Sequence, residues 1–75
     1  MPSKITPEEA EVYRKIGKRI QSIRNEKKMT QERVAEATGL AAKYIGFIEQ
    51  GRKRPRIHIL ISIAKALNTS IKDFF

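Results

Sequence analysis

The segment from Gln31 to Gln50 restricts the folds open to this chain more than any other part of its sequence. It contains two short helical patterns separated by a glycine. Thr30 can cap the first helix, which should end at Gly39 because glycine readily takes the left-handed backbone of a tight turn. The second helix is predicted from about Ala42 to Gln50. The segment therefore predicts two helices that pack closely across a turn.

Small and branched apolar residues lie where these two helices would meet. Ala35 allows a close crossing, and Ile45 and Ile48 anchor the second helix to a core. With these side chains turned inward, the second helix should present a mixed surface to solvent. Its outward residues are predicted to be Ala42, Lys43, Gly46, Phe47 and Gln50.

Further helical patterns flank this segment on both sides. Pro7 should begin the first helix, with Thr6 and Glu9 forming a capping box, and the helix should end near Lys27 or Lys28. Apolar residues at helical spacing predict one buried stripe on this helix and another on a later one. The stripes consist of Tyr13, Ile16, Ile20 and Ile23, and of Ile57, Leu60, Ile63, Ala64 and Leu67.

Five helices and no strand are thus predicted, in a single all-α domain over residues 1–75. Ser70 can cap the last helix, a short one that contains Ile71, Phe74 and Phe75. Since little chain is left to cover these three apolar residues, we expect them to form a dimer interface.

The chain carries a strong excess of positive charge. Its 16 Lys and Arg against 8 Asp and Glu give a net charge of +8. This balance favours a polyanionic partner, for which nucleic acid is the first candidate. Four of the basic residues lie in the connector after the second helix of the central segment: Arg52, Lys53, Arg54 and Arg56. The connector could also be a hydrated loop that aids solubility.

Composition argues against several other functions. The absence of cysteine excludes disulfides and thiolate metal sites and suits a reducing cytoplasm. The single histidine, His58, cannot form a ligand cluster and should be an ordinary exposed residue. A chain of 75 residues has little room for a sensor domain or an enzyme cleft. We therefore predict a cytoplasmic, non-enzymatic protein without a metal, cofactor, small-molecule ligand or membrane segment.

Specific residues give a family resemblance that extends beyond the central segment. They are Thr30-Gln31, Val34-Ala35, Gly39-Leu40, Tyr44-Ile45, Ile48 to Gly51, Pro55 and Ile63 to Leu67. At these positions the chain resembles the Cro and phage-repressor (xenobiotic-response-element) class of helix-turn-helix domains. The resemblance spans about residues 16–74. The resemblance implies a compact five-helix bundle with the helix-turn-helix at about residues 31–50. The early start of the first helix is similar to that of restriction-modification controller proteins.

The resemblance also implies roles for individual residues. The second helix of the motif should enter the major groove of DNA, while Thr30 and Gln31 touch the phosphate backbone. Arg24 and Glu49 should form a structural ion pair, in which Arg24 could also reach a phosphate. Further phosphate contacts are expected from Tyr44, Gln50, Arg52, Lys53, Arg54 and Arg56. The tyrosine could instead pack against the connector.

The second helix departs from the family pattern at its start. Ala41 and Ala42 stand where family members often have serine, threonine or glutamine, so their side chains cannot hydrogen-bond to bases. Lys43 can still reach guanine acceptors, and Ala42 and Phe47 can contact thymine methyl groups. Gly46, a fourth predicted base contact, would allow close approach to DNA or could have no role. Phe47 could alternatively pack in the core or in a dimer interface.

These expectations favour a homodimeric transcriptional regulator that binds a palindromic operator in double-stranded DNA, with its recognition helices about 34 Å apart. The first alternative is an antitoxin-type interaction module of the same fold, which would need a partner surface beyond the dimer face. The second is a coat that binds nucleic acid without sequence preference, and which would bind scrambled and cognate duplexes equally.

Overall fold

The computed structural model describes residues 5–75, which form four α-helices and a 3₁₀ turn. The elements are α1 (Pro7–Glu26), α2 (Gln31–Thr38), α3 (Ala42–Glu49), α4 (Ile57–Ala66) and the 3₁₀ turn (Ile71–Phe74). The predicted all-α fold is confirmed, but its fifth element is a 3₁₀ turn because the N–H of Asp73 donates to the Ser70 carbonyl oxygen, three residues back. The first four residues of the predicted domain lie outside the described residues.

α1 and α2 begin directly after the residues that the sequence predicts as caps. The N–H of Glu9 donates to Thr6 Oγ1 and the N–H of Thr6 donates to Glu9 Oε1, each at 3.1 Å, so the predicted capping box is present. Thr30 Oγ1 caps α2 by accepting a backbone N–H at 3.0 Å. α1 ends at Glu26, slightly before its predicted end, and the chain leaves the helical conformation at Lys28, which has a φ of 57°.

All four helices bury side chains in one apolar core. Ile20 of α1, Ile45 of α3 and Ile63 of α4 are wholly enclosed. The other core residues are Ile16, Ile23, Val34, Ala35, Ile48, Leu60, Ala64, Leu67 and Phe74. Of the predicted stripes, Tyr13 is only partly buried, and Ile57, in the first position of α4, is 60% exposed. The prediction that Ile57 belongs to the core is therefore wrong.

Phe74 belongs to this core rather than to a dimer interface. Its side chain is 1% exposed, because the 3₁₀ turn folds back against α1 and α4. Arg19 of α1 helps to hold the turn there, since its Nε donates to the Asp73 carbonyl oxygen at 3.0 Å. The prediction that Phe74 forms a dimer interface is wrong, whereas Phe75 is exposed and Ile71 is partly buried against the core.

α1 and the end of α3 pack closely at Gly17, a residue that none of the sequence motifs indicates. A Cβ atom at this position would collide with the backbone carbonyl oxygens of Ile48 and Glu49. The available signal was a glycine next to a buried isoleucine in the middle of a helix, where glycine costs about 1 kcal/mol relative to alanine. Gly17 thus sets how closely the end of α3 packs on α1.

Candidate nucleic-acid interface

The turn between α2 and α3 is held by local hydrogen bonds. Gly39 has the predicted left-handed conformation, with a φ of 75°, and its N–H donates to the Ala35 carbonyl oxygen at 2.8 Å. The hydroxyl of Thr38 donates to the Val34 carbonyl oxygen at 2.8 Å and accepts the N–H of Leu40 at 3.3 Å. These hydrogen bonds fix the short turn, and α3 packs against α2 across it.

A buried ion pair holds the end of α3 against α1. Arg24 Nε donates to Glu49 Oε2 at 2.6 Å, and Arg24 Nη2 donates to Oε1 at 3.0 Å. The remaining nitrogen, Nη1, donates to the Met29 carbonyl oxygen at 2.8 Å. The hydrogen bonds to Glu49 raise the pKa of Arg24. Since all three nitrogens donate to protein acceptors, the geometry favours a structural role for Arg24 over a phosphate contact.

Gln31 joins this ion pair, and Gly46 lies beside it. Gln31 Nε2 donates to Glu49 Oε1 at 3.0 Å, and a Cβ atom on Gly46 would be 3.4 Å from Gln31 Oε1. Gly46 is buried, so the prediction that it faces outward is wrong. The physical reason is that α3 packs against both α1 and α2, which buries a wider side of the helix than the apolar stripe indicates. Gly46 therefore faces the Gln31 amide instead of a ligand.

The outer side of α3 presents a phenylalanine among cations. Phe47 is half-buried and lies outside the core, while Lys43 is exposed. The centroid of the Phe47 ring lies 4.8 Å from Arg52 Cζ, 5.9 Å from Lys43 Nζ and 6.0 Å from Lys53 Nζ. These distances are within the range of cation–π attraction. Phe47 thus brings the cations of α3 and of the connector together.

The predicted basic connector continues this surface. Arg52, Lys53, Arg54 and Arg56 are all exposed, whereas Pro55 between them is buried. Arg52 Nη1 also donates to Gln50 Oε1 at 3.4 Å, so the first arginine stays close to the end of α3. The buried proline therefore anchors the connector, and its basic side chains are exposed to solvent.

The start of α3 differs from the starts of α1 and α2. Ala41 occupies its N-cap position, and among the described residues no side chain caps the helix. The N–H groups in the first turn of a helix have no partner within the helix. At α3 they are therefore left to solvent or to a ligand with acceptor oxygens.

The other predicted site residues have the following environments. Thr30 is exposed at the start of α2, and Gln50 is exposed at the end of α3. Ala42 and Tyr44 are partly buried, and both pack against the core. Within residues 5–75, no group of three or more His, Cys, Asp or Glu is placed to hold a metal ion. The same residues contain no helix both long and apolar enough to span a bilayer.

Sequence comparisons relate this chain to DNA-regulatory proteins. The family described as Helix-turn-helix matches residues 20–74. The chain is 39% identical over 56 residues to the control protein C.SmaI of Serratia marcescens, which covers 75% of this chain and 67% of that protein. It is 38% identical over 56 residues to the immunity repressor protein of Bacillus phage phi105, which covers 75% of this chain but only 39% of the repressor.

Solved structures share the fold. The restriction-modification controller protein C.AhdI of Aeromonas hydrophila superposes with a TM-score of 0.82 at 29% identity, over 88% of this chain and 98% of its own. The controller protein C.Esp1396I, solved as a tetramer in complex with its natural 35-base-pair operator, superposes with a TM-score of 0.78 at 38% identity. That match covers 85% of this chain and 84% of the controller chain.

Proposed function

Because this chain belongs to the helix-turn-helix family, we propose that it is a transcriptional regulator that binds a palindromic operator in double-stranded DNA as a homodimer. One observation carries the proposal. The exposed side of α3 lies beside a basic connector, while the buried carboxylate of Glu49 joins α3 to α1 through Arg24 and to α2 through Gln31. The similar controller protein C.Esp1396I was solved in complex with its operator, which supports DNA binding by this chain.

In the proposed complex, α3 lies in the major groove and the connector follows the phosphate backbone. Lys43 is the exposed cation of α3 and would donate to guanine acceptors, while Ala42 and Phe47 would contact thymine methyl groups. Phosphate contacts would come from polar residues of the helix-turn-helix and the connector that are exposed or partly buried. They are Thr30, Gln31, Tyr44, Gln50, Arg52, Lys53, Arg54 and Arg56. The uncapped N–H groups at the start of α3 would add backbone donors.

The dimer interface is proposed on α4. Ile57 and Ile61, one helical turn apart, are 60% and 41% exposed. A groove of about 400 Å³ beside Ile57 is lined by residues of both charges, including Glu8 and Arg56. A two-fold interface sets one patch against its own copy, so a patch with both charges can pair opposite signs.

The finer proposal is that this regulator serves as the controller of a restriction-modification system. Its support is the likeness to C.SmaI, C.AhdI and C.Esp1396I over most of this chain. An autoregulator of that kind would bind an operator upstream of its own gene. Selected binding sites that occur elsewhere, and not upstream of that gene, would contradict the controller role while leaving DNA binding intact.

DNA binding is tested by selecting bound duplexes from a random pool at about physiological salt. A palindromic consensus is expected. Lys43→Ala should then relax preference at one base position, whereas Arg54→Ala should weaken all duplexes uniformly. Equal binding of selected and scrambled duplexes by the wild-type protein would contradict sequence-specific regulation.

The dimer is tested by sedimentation velocity. Ile57→Asp should shift the protein to a monomer, because it places a charge in the apolar patch on each side of the two-fold interface. His58→Asp changes an exposed neighbour on another side of α4 and is the matched control. Identical sedimentation of both variants would contradict an interface on this face.

A further inference from the structure

A second groove lies along α1 on the side away from α3. Its apolar floor is formed by Val12, Ile16, Phe74 and Phe75. Val12 is 47% exposed and Phe75 is 69% exposed, so much of this floor faces solvent. The groove has a volume of about 850 Å³ and is open to solvent. An α-helix of another protein could therefore reach its apolar floor.

The rim of this groove is positively charged. Of the described residues that line it, the charged ones are all basic: Lys15, Lys18 and Arg19. Arg19 uses its Nε on the Asp73 carbonyl oxygen, and Lys15 Nζ lies 4.0 Å from a carboxylate oxygen of Glu11. Lys18 is exposed at the rim. The groove therefore combines an apolar floor with a cationic edge.

The position of the groove separates it from the proposed DNA-binding helix. α3 contacts α1 at Gly17 and Arg24, whereas the groove follows Val12, Ile16 and Arg19, at positions i, i+4 and i+7 of one helix side. A molecule seated in the groove would leave the outer side of α3 uncovered.

A second copy of this chain is a poor occupant on electrostatic grounds. In a two-fold interface the same surface patch meets itself, so the basic rim would face an identical basic rim. Opposed like charges disfavour such a contact. The groove beside Ile57 shares Val12, Ile16 and Phe75 with this one, but its charged residues have both signs, so it does not carry this penalty. Charge complementarity instead selects an acidic occupant for the groove along α1.

We propose that this groove, which we call the α1 groove, docks an acidic amphipathic helix of another protein. Apolar residues one helical turn apart would cover Val12 and Phe75, and flanking carboxylates would pair with Lys15 and Lys18. This interaction would recruit a partner to the regulator without covering α3. It goes beyond DNA binding and does not depend on it.

The probe is a fluorescein-labelled peptide of about 18 residues that carries leucines on one helical face and glutamates beside them. Fluorescence anisotropy measures its binding to the full chain. The control peptide has the same composition in an order that spreads the leucines around the helix. We expect the amphipathic peptide to bind at least about ten-fold more tightly than the scrambled one.

The rim is tested by reversing its charge. Lys15→Glu/Lys18→Glu should weaken peptide binding by about ten-fold. Lys28→Glu/Lys65→Glu makes the same change in net charge at exposed positions outside the groove and should bind within about two-fold of wild type. Thermal unfolding followed by circular dichroism verifies that each variant is folded. If the rim variant does not fold, Val12→Ser tests the floor with the same readout and the same expected loss.

Three results would overturn the proposal. Equal binding of the amphipathic and the scrambled peptide would show that acidic peptides bind this basic protein through charge alone, without a groove that recognises a helix. Dissociation of the dimer by the peptide would assign the groove to a second copy of this chain. Competition between the peptide and an operator duplex would assign it to the DNA interface. Unchanged operator binding by the Lys15→Glu/Lys18→Glu variant, beside lost peptide binding, is the expected pattern.

Discussion

The backbone of Gly51 packs so closely on that of Arg14 that a Cβ atom on Gly51 would lie 2.9 Å from the Arg14 Cα. Gly51 also has a left-handed backbone, with a φ of 74°. The glycine therefore meets two demands at once, a turn after α3 and a close contact with α1. Gly51 thus lets the chain pass from α3 into the basic connector while its backbone stays packed against α1.

This relationship predicts unequal costs for two similar substitutions. Gly39 has nearly the same φ, 75°, but a Cβ atom there would meet open space. Gly39→Ala should lower the free energy of unfolding by about 1 kcal/mol through backbone strain alone. Gly51→Ala should lower it by about 3 kcal/mol, because overpacking is added to the strain. Urea unfolding measures both, and equal losses would contradict the tight contact with Arg14.

The ion pair of Arg24 and Glu49 predicts a non-additive pair of substitutions. Arg24→Met leaves the Glu49 carboxylate buried without its cation, which should lower the free energy of unfolding by about 3–5 kcal/mol. Arg24→Met/Glu49→Leu removes both charges and should be more stable than Arg24→Met alone. Chemical denaturation of these two variants and of Glu49→Leu alone measures the coupling. A double variant that loses as much as the sum of its single changes would contradict the coupling.

The uncapped start of α3 predicts a stabilising substitution. Ala41→Ser supplies a side-chain acceptor for the first-turn N–H groups and should raise the free energy of unfolding by about 1 kcal/mol. Ala37→Ser makes the same chemical change at an exposed position inside α2, where serine should be slightly unfavourable. Urea midpoints compare the two variants. A gain at both positions would point to a cause other than capping.

The exposed connector predicts how DNA binding responds to salt. If the dimer neutralises about 8 phosphates, the logarithm of the affinity should fall against the logarithm of the salt concentration with a slope of about −7. Arg54→Ala removes two cations from the dimer and should make the slope shallower by about 2. Lys65→Ala, on α4 outside the connector, should leave the slope unchanged. Titrations of a labelled duplex measure the slopes, and a flat wild-type response would count against backbone contacts.

The cap of the 3₁₀ turn predicts a dependence on pH. Hydrogen bonds from the Thr69 hydroxyl and from the Ser70 N–H lower the pKa of Asp73 below its ordinary value of 3.8. A lowered pKa means that the carboxylate stabilises the folded state above that ordinary value, and that this contribution is lost as the pH falls through the folded-state pKa. Carboxyl chemical shifts in an NMR titration should therefore place the midpoint of Asp73 below 3.8. In the Thr69→Val variant, which lacks the hydroxyl donor, the midpoint should move back upward.

Local features of the fold were predictable because they depend on residues close together in the chain. The caps at Thr6, Thr30 and Ser70 each form within three residues, and each is present. The left-handed turns at Gly39 and Gly51 likewise depend on glycine itself. The resemblance to a family added the pairing of Arg24 with a residue 25 positions away, which no local pattern contains.

Burial at the ends of the chain's elements was predicted less well. Ile57 and Phe74 are both apolar residues near helix ends, and the sequence placed the first inside and the second outside. The structure reverses both, since the 3₁₀ turn folds onto α1 and α4 while Ile57, at the first position of α4, is exposed. Gly46 was misplaced for a related reason, because α3 is enclosed from two sides instead of one.

The sequence by itself determined the number and order of the elements, their caps, the turn between α2 and α3, and the excess of positive charge. Hydrogen bonds over three or four residues and counts of charged groups are properties of the chain alone. Only the tertiary structure decided which apolar residues remain exposed, that Gln31 and Gly46 meet beside Glu49, and that Phe47 gathers the cations around it. These features depend on the relative placement of whole helices, which is set by packing between residues far apart in sequence.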